Sequence, residues 1–97
     1  MLISRAESQL LVVDVQERLV PAMEAGRPFV AGCGNLLQAA QALRVPALAS
    51  EQYPKGLGRS IPEIAGAVPA AARREKMEFS CYANAGLRDE LTRAGRR

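Results

Sequence analysis

Residues 10–16 read Leu10-Leu11-Val12-Val13-Asp14-Val15-Gln16. This is a short apolar run interrupted by one carboxylate. Its length fits a strand buried on both faces, as in a parallel sheet covered by helices. A buried helical segment also fits, but the shortness and the paired valines favour a strand. Asp14 stands where the run ends.

Downstream, Pro21 and the cluster Gly26-Arg27-Pro28 punctuate the chain. Val30, Cys33, Leu37, Ala40 and Leu43 then recur at helical spacing and predict one apolar face. Gly32 and Gly34 weaken the start of that helix by about 1 kcal/mol each against alanine. Val45-Pro46 is the expected stop, because a residue before proline is pushed towards extended geometry. Ala47 to Ser50 predicts a second strand, which makes a βαβ unit with an expected right-handed crossover.

Glu51 to Arg59 contains Pro54, Gly56 and Gly58 and reads as a loop. A loop after a parallel strand sits at the carboxyl edge of the sheet, where α/β ligand sites form. Ser60 is expected to cap a helical turn, with Pro62 at its start and Glu63 three residues on. An edge-like strand is placed near Ala72 to Lys76 because the alternation of elements requires one, although propensity there is poor. The last helix has Asn84 as its cap, Leu87, Leu91 and Ala94 on one face, an Asp89–Arg93 pair, and Gly95 as its stop.

The order is β-α-β-loop-β-α, an α/β class with a parallel sheet and helices over it. Three strands cannot easily cover both faces and both edges of such a sheet. The expectation is therefore that residues 1–97 are the N-terminal portion of a single domain with the C-terminal part absent. Marginal stability, aggregation or dimerisation would follow from the open edge.

Composition narrows the chemistry. A chain of 97 residues holds one small domain. Its balance of 48% apolar and 24% charged residues is that of an ordinary soluble protein. The net charge of +3 gathers at Arg73, Arg74, Arg93, Arg96 and Arg97, read as a solvated surface. With no Trp, two Tyr and two Phe there is little to stack on bases, and no nucleic-acid partner is expected. No apolar run reaches the roughly 20 residues that cross a bilayer. No secretion signal opens the chain, so a cytoplasmic location and no membrane partner are expected. The absence of histidine removes the commonest general base and imidazole ligand. Cys33 and Cys81 without histidine do not make a zinc site, and no disulfide is expected between them. Cys33 reads as a small core residue, and Cys81 as a partly buried thiol near the site.

Three stretches taken in order resemble the isochorismatase-like hydrolases, the superfamily that includes the nicotinamidases. They are Leu11-Val12-Val13-Asp14-Val15-Gln16, then Ser50-Glu51-Gln52-Tyr53-Pro54-Lys55-Gly56-Leu57-Gly58, then Glu75-Lys76-Met77-Glu78-Phe79-Ser80-Cys81. The middle stretch is more similar to the small isochorismatase-domain hydrolases than to the nicotinamidases. The resemblance implies the three-layer Rossmann-like sheet of that family, present as its first three strands and flanking helices. It also implies an Asp-Lys-Cys triad acting on a small amide-like or ester-like substrate, and assembly into a homo-oligomer.

By that resemblance Asp14 is the aspartate and Lys76 the lysine. The nucleophilic cysteine of the family follows a later strand, and neither Cys33 nor Cys81 matches its position. The chain alone is therefore expected to be inactive. The other reading is a small non-catalytic protein that pairs with a relative through its exposed sheet edge. Read without the family, Asp14 is a turn cap and Lys76 a surface lysine. Gln16 either orients Asp14 or the substrate, or is a solvated polar side chain. Tyr53 and Phe79 either line a substrate pocket or anchor packing beside a loop. Nicotinamidases with a metal hold it with an aspartate and histidines after the second strand. Here that region reads Glu51-Gln52-Tyr53, so neither metal nor cofactor is expected.

Overall fold

Strand β1 (Leu10–Val13) takes only the first part of the apolar run. A computed structural model describes residues 3–23 and 26–96, so Arg97 of the basic cluster lies outside the described residues. The strand stops because Asp14 has φ 56°, in the left-handed region. Aspartate enters that region more readily than most residues, and a left-handed residue ends strand geometry. The rest of the run has a different task. Gln16 forms an isolated antiparallel bridge with Ser60. On either side of it, Ile61 N–H donates to the Val15 carbonyl at 3.0 Å and Glu17 N–H to that of Arg59 at 2.9 Å. Val15 is buried, in the same core as Val12.

Helix α1 (Gly26–Ala42) begins within the cluster that reads as punctuation. Pro28 lies in its first turn, where the missing N–H costs nothing. Gly26 is required at the start, since a Cβ there would lie 2.8 Å from the Val20 carbonyl oxygen. Val30, Leu37 and Ala40 form the buried face, with Cys33 packed partly against the core. Leu43 does not share that face: the helix ends at Ala42, and Leu43 is half exposed. Arg44 at φ 57° turns the chain out of the helix.

Strand β2 (Ala47–Gln52) runs two residues past its expected end. The sheet is β1-β2-β3 in order, parallel throughout, with Val13 beside Ser50 and Gln52 beside Lys76. Strand β3 (Arg73–Lys76) is the edge strand that alternation required. Its charged residues keep that edge from pairing with another chain.

Two short helices fill the stretch between the last two strands, α2 (Pro54–Leu57) and α3 (Pro62–Ala65). Ser60 does not cap α3; Ile61 holds the cap position without a side-chain bond. The Ser60 N–H is instead bound to the buried Glu51 carboxylate at 2.7 Å. The hydroxyl of Ser60 is buried with no partner among the described residues.

Helix α4 (Ala85–Arg93) has the expected cap, the Asn84 side chain accepting from Leu87 N–H at 3.0 Å. Leu87 is fully buried. The expected Asp89–Arg93 pair is replaced by Glu90, which binds Arg93 and Arg74 at 2.8 Å each. Glu90 wins because it meets a cation from its own helix and one from β3 together. Arg96 is spent on the carbonyls of Arg5 and Ser8. Arg74, Arg93 and Arg96 of the arginine cluster thus find partners within the fold.

One core joins Val12 and Ala49 of the sheet to Val30 and Leu37 of α1 and to Ile61, Ile64 and Val68. Helix α4 is held to the sheet by Arg74 and by Gln9, whose amide donates to the Leu91 and Arg96 carbonyls at 3.1 Å each. Among the described residues no helix is long and apolar enough to cross a membrane.

Candidate active site

The carboxyl ends of the three strands bring Asp14 and Lys76 together across β2. Alternation along β1 would send Asp14 to the side of Val12. Its left-handed backbone breaks the alternation and lets the carboxylate reach the face that carries Ser50, Gln52 and Lys76. Ser50 and Gln52 share that face because they are two residues apart on one strand.

Lys76 Nζ lies 3.0 Å from Asp14 Oδ2. It also donates to Gln52 Oε1 at 2.6 Å and to the carbonyls of Phe79 at 3.1 Å and Glu78 at 3.2 Å. An ammonium has three protons, and four acceptors surround them. The lysine side chain is 0% exposed, whereas Asp14 keeps 22% of its side chain open. Lys76 is therefore sealed behind Asp14, and the open group of the pair is the carboxylate.

Asp14 is held on its other side by Ser50. The Ser50 hydroxyl donates to Asp14 Oδ1 at 2.7 Å. The Asp14 N–H reaches the Ser50 carbonyl and hydroxyl oxygens at 3.2 Å each. Gln52 completes the frame by donating from Nε2 to the Met77 carbonyl at 3.0 Å. Sequence reading missed both residues of β2. The signal lay in the strand's length: with β2 ending at Ser50, the i, i+2 pair that lines the site cannot be seen.

Gln16 is fully buried and faces backbone rather than open surface. Its Nε2 donates to the carbonyls of Gly58 at 2.7 Å and Gln52 at 2.9 Å, and its Oε1 accepts from Gln52 N–H at 2.6 Å. It joins the segment after Asp14 to the end of β2 and to the loop. It is not a solvated side chain.

Tyr53, at φ 39°, lays its ring against Gly56, where any Cβ would collide with it. It lines a cleft of about 450 Å³ with Lys55, Glu75, Met77, Glu78 and Asn84, on the β3 side of Lys76. Phe79 is 94% exposed and meets the site only through its carbonyl on Lys76. The turn after Lys76 is braced by Asn84, whose amide donates to Glu78 Oε1 at 3.0 Å. That bond, and then the residue's own backbone N–H, hold the Glu78 carboxyl below its ordinary value.

Neither thiol makes a hydrogen bond to Asp14 or Lys76 among the described residues. Burial pushes the Cys33 thiol up. A raised thiol carries less thiolate at neutral pH and is a poorer nucleophile. Cys81 lies in a 3-10 turn at Cys81–Ala83 and is half-buried. Among the described residues no group of three cysteine or acidic side chains is placed to hold a metal ion.

No family model matches the chain. Over 62 residues it is 40% identical to isochorismatase domain-containing protein 2 of Danio rerio, covering 64% of this chain and 32% of that protein. Its fold is similar to the MAR1 ribonuclease of Caenorhabditis elegans, with a TM-score of 0.82, 28% identity, and coverage of 93% of this chain and 47% of that one. It is also similar to the YcaC product of Escherichia coli, described as an octameric hydrolase of unknown specificity. There the TM-score is 0.81 at 19% identity, with 97% of this chain and 48% of that one covered. The chain thus spans about a third of the curated relative and about half of the solved structures.

Proposed function

From the premise that this chain is isochorismatase-like in sequence and fold, we propose that Asp14 and Lys76 are the base and charge partner of an Asp-Lys-Cys hydrolase centre. The substrate is a small amide-like or ester-like compound. The observation that supports this best is the 3.0 Å pair between residues 62 positions apart, its lysine sealed and its carboxylate open. The open carboxylate lies at the carboxyl edge of a parallel sheet, where ligand sites of α/β proteins form.

In this reading the cysteine thiol comes from polypeptide beyond the described residues, and the chain is the N-terminal portion of the domain. The thiol gives its proton to a free lone pair of the Asp14 carboxylate as sulfur forms a bond to the substrate carbonyl carbon. The carbonyl π electrons move to oxygen. When that oxyanion collapses, the leaving amine or alcohol departs with the proton from Asp14. Water then cleaves the thioester, releasing the acid and restoring the thiol. Lys76 holds the Asp14 carboxylate in place. With its protons already engaged, it does not serve as the acid.

The chain alone should therefore not turn over small amides, esters or an oligoribonucleotide. The last is included because one solved relative bears a ribonuclease name. Adding 2-mercaptoethanol should restore cleavage of an activated ester at a rate that needs Asp14, by about 10²-fold, the usual size of general-base catalysis. The reference is the double variant Asp14→Asn/Lys76→Met, which removes both charges and leaves no buried ion unpaired. Equal rates from the native chain and the double variant would refute the proposal. So would turnover by the double variant without added thiol.

A second reading, pairing with another chain of this fold, is favoured by the β1 edge. Leu10 to Val13 line an apolar groove there with Phe29, Cys33 and Leu36. Val13, Phe29 and Leu36 are exposed, and none of the described residues lining the groove is charged. The octameric relative is in keeping with such assembly. Sedimentation equilibrium should show self-association that Val13→Lys abolishes. A native chain that stays monomeric at high micromolar concentration contradicts this reading.

A further inference from the structure

We propose that Ser50 is the positioning residue of the Asp14 base, an inference that rests on the hydrolase reading above. The arrangement goes beyond what strand pairing needs. Parallel pairing supplies the bond from Asp14 N–H to the Ser50 carbonyl. The Ser50 hydroxyl adds two more contacts to the same residue. It accepts from Asp14 N–H at 3.2 Å and donates to Asp14 Oδ1 at 2.7 Å.

One fully buried hydroxyl therefore grips both the backbone and the side chain of a residue at φ 56°. The backbone bond to Ser50 leaves the side-chain torsions of Asp14 unfixed. Two opposed bonds fix them here. Ser50 binds Oδ1 from β2, and Lys76 binds Oδ2 from β3. With both oxygens bound, rotation of the carboxylate plane is restricted. A base held to a fraction of an ångström transfers protons efficiently, and a displacement of about 1 Å can cost on the order of 10²-fold in rate. Alanine at position 50 would leave the strand and its backbone bond intact and free one side of the carboxylate.

The test uses the thiol-assisted ester assay on Ser50→Ala, Ser50→Thr and the double variant Asp14→Asn/Lys76→Met, each checked for cooperative unfolding. Ser50→Ala should lose about 10- to 100-fold of the Asp14-dependent rate. Ser50→Thr, which restores a hydroxyl at the same place, should recover most of it. In parallel, the Asp14 carboxyl carbon resonance should move in Ser50→Ala and stay near its native position in Ser50→Thr, with Asp89 unmoved in both. If the double variant keeps the native rate, Asp14 is not the base and the hydrolase reading fails. If the double variant loses the rate while Ser50→Ala keeps it, or if the Asp14 resonance ignores Ser50→Ala, the role of Ser50 is overturned.

Discussion

Asp14→Asn should destabilise the folded chain by about 3–5 kcal/mol, and Lys76→Met by clearly less. The two sides of the pair differ in what is left behind. Removing the aspartate charge strands an ammonium that is 0% exposed among neutral acceptors. The new amide can turn its oxygen to the ammonium but supplies no compensating charge. Removing the lysine leaves a carboxylate that is 22% exposed, still bound by Ser50, and able to recruit water. Methionine fills most of the volume of the lysine stem and needs no partner. A 97-residue domain has roughly 5–15 kcal/mol of stability in all. At the low end of that range Asp14→Asn should bring it close to unfolding at room temperature. Urea denaturation of both variants measures the difference. A larger loss for Lys76→Met would mean that the exposed and sealed members have been assigned the wrong way round.

Gln16→Leu carries the second large effect, again on stability. Leucine matches the size of glutamine but withdraws three bonds at once. The Gln52 N–H, the Gln52 carbonyl and the Gly58 carbonyl all lose their partner. Each buried group left unsatisfied costs about 1–3 kcal/mol. Because carbonyls at the loop can find water, a total of about 3–5 kcal/mol is expected. The loop carrying Tyr53 to Gly58 should also lose its protection from amide hydrogen exchange, since both its ends depend on that side chain. A substrate-contacting glutamine would behave differently, costing little stability and changing ligand affinity. A loss below about 1 kcal/mol in urea denaturation would return Gln16 to that role.

The fold was legible where hydrophobic pattern and turn chemistry agree. Leu10 to Val13 reads as a strand from its short valine-bearing run, although of its residues only Val12 is buried and Val13 is exposed, and Asn84 followed by Leu87 reads as a capped helix. The third strand was legible only from topology. Arg73-Arg74-Glu75-Lys76 has no apolar residue to mark it, because an edge strand at this place is kept charged. Short-range signals failed where a longer-range bond outcompeted them. Ser60 has the sequence look of a cap, but the Glu51 carboxylate holds its N–H and the hydroxyl faces inward. Glu90 displaces Asp89 as the partner of Arg93 because Arg74 of β3 pulls on it as well.

The site divided in the same way. Asp14 and Lys76 came from a resemblance between separated stretches, since nothing local ties two residues 62 apart. Ser50 and Gln52 stayed hidden because their contacts with Asp14 and Lys76 depend on the exact end of β2 and on a left-handed Asp14. Both follow from tertiary contacts rather than from propensity. Gln16 was seen as polar and near Asp14, but only the packing of β2 and the loop shows that its amide is consumed by backbone.

A double-mutant cycle on Asp14→Asn and Lys76→Met tests most directly whether the two residues form one unit. Stabilities of the native chain, both single variants and the double variant should give an interaction of at least about 2 kcal/mol, with the double variant more stable than Asp14→Asn alone. Losses that add to within about 0.5 kcal/mol would mean that the two charges act independently, and no shared centre could then be built on them.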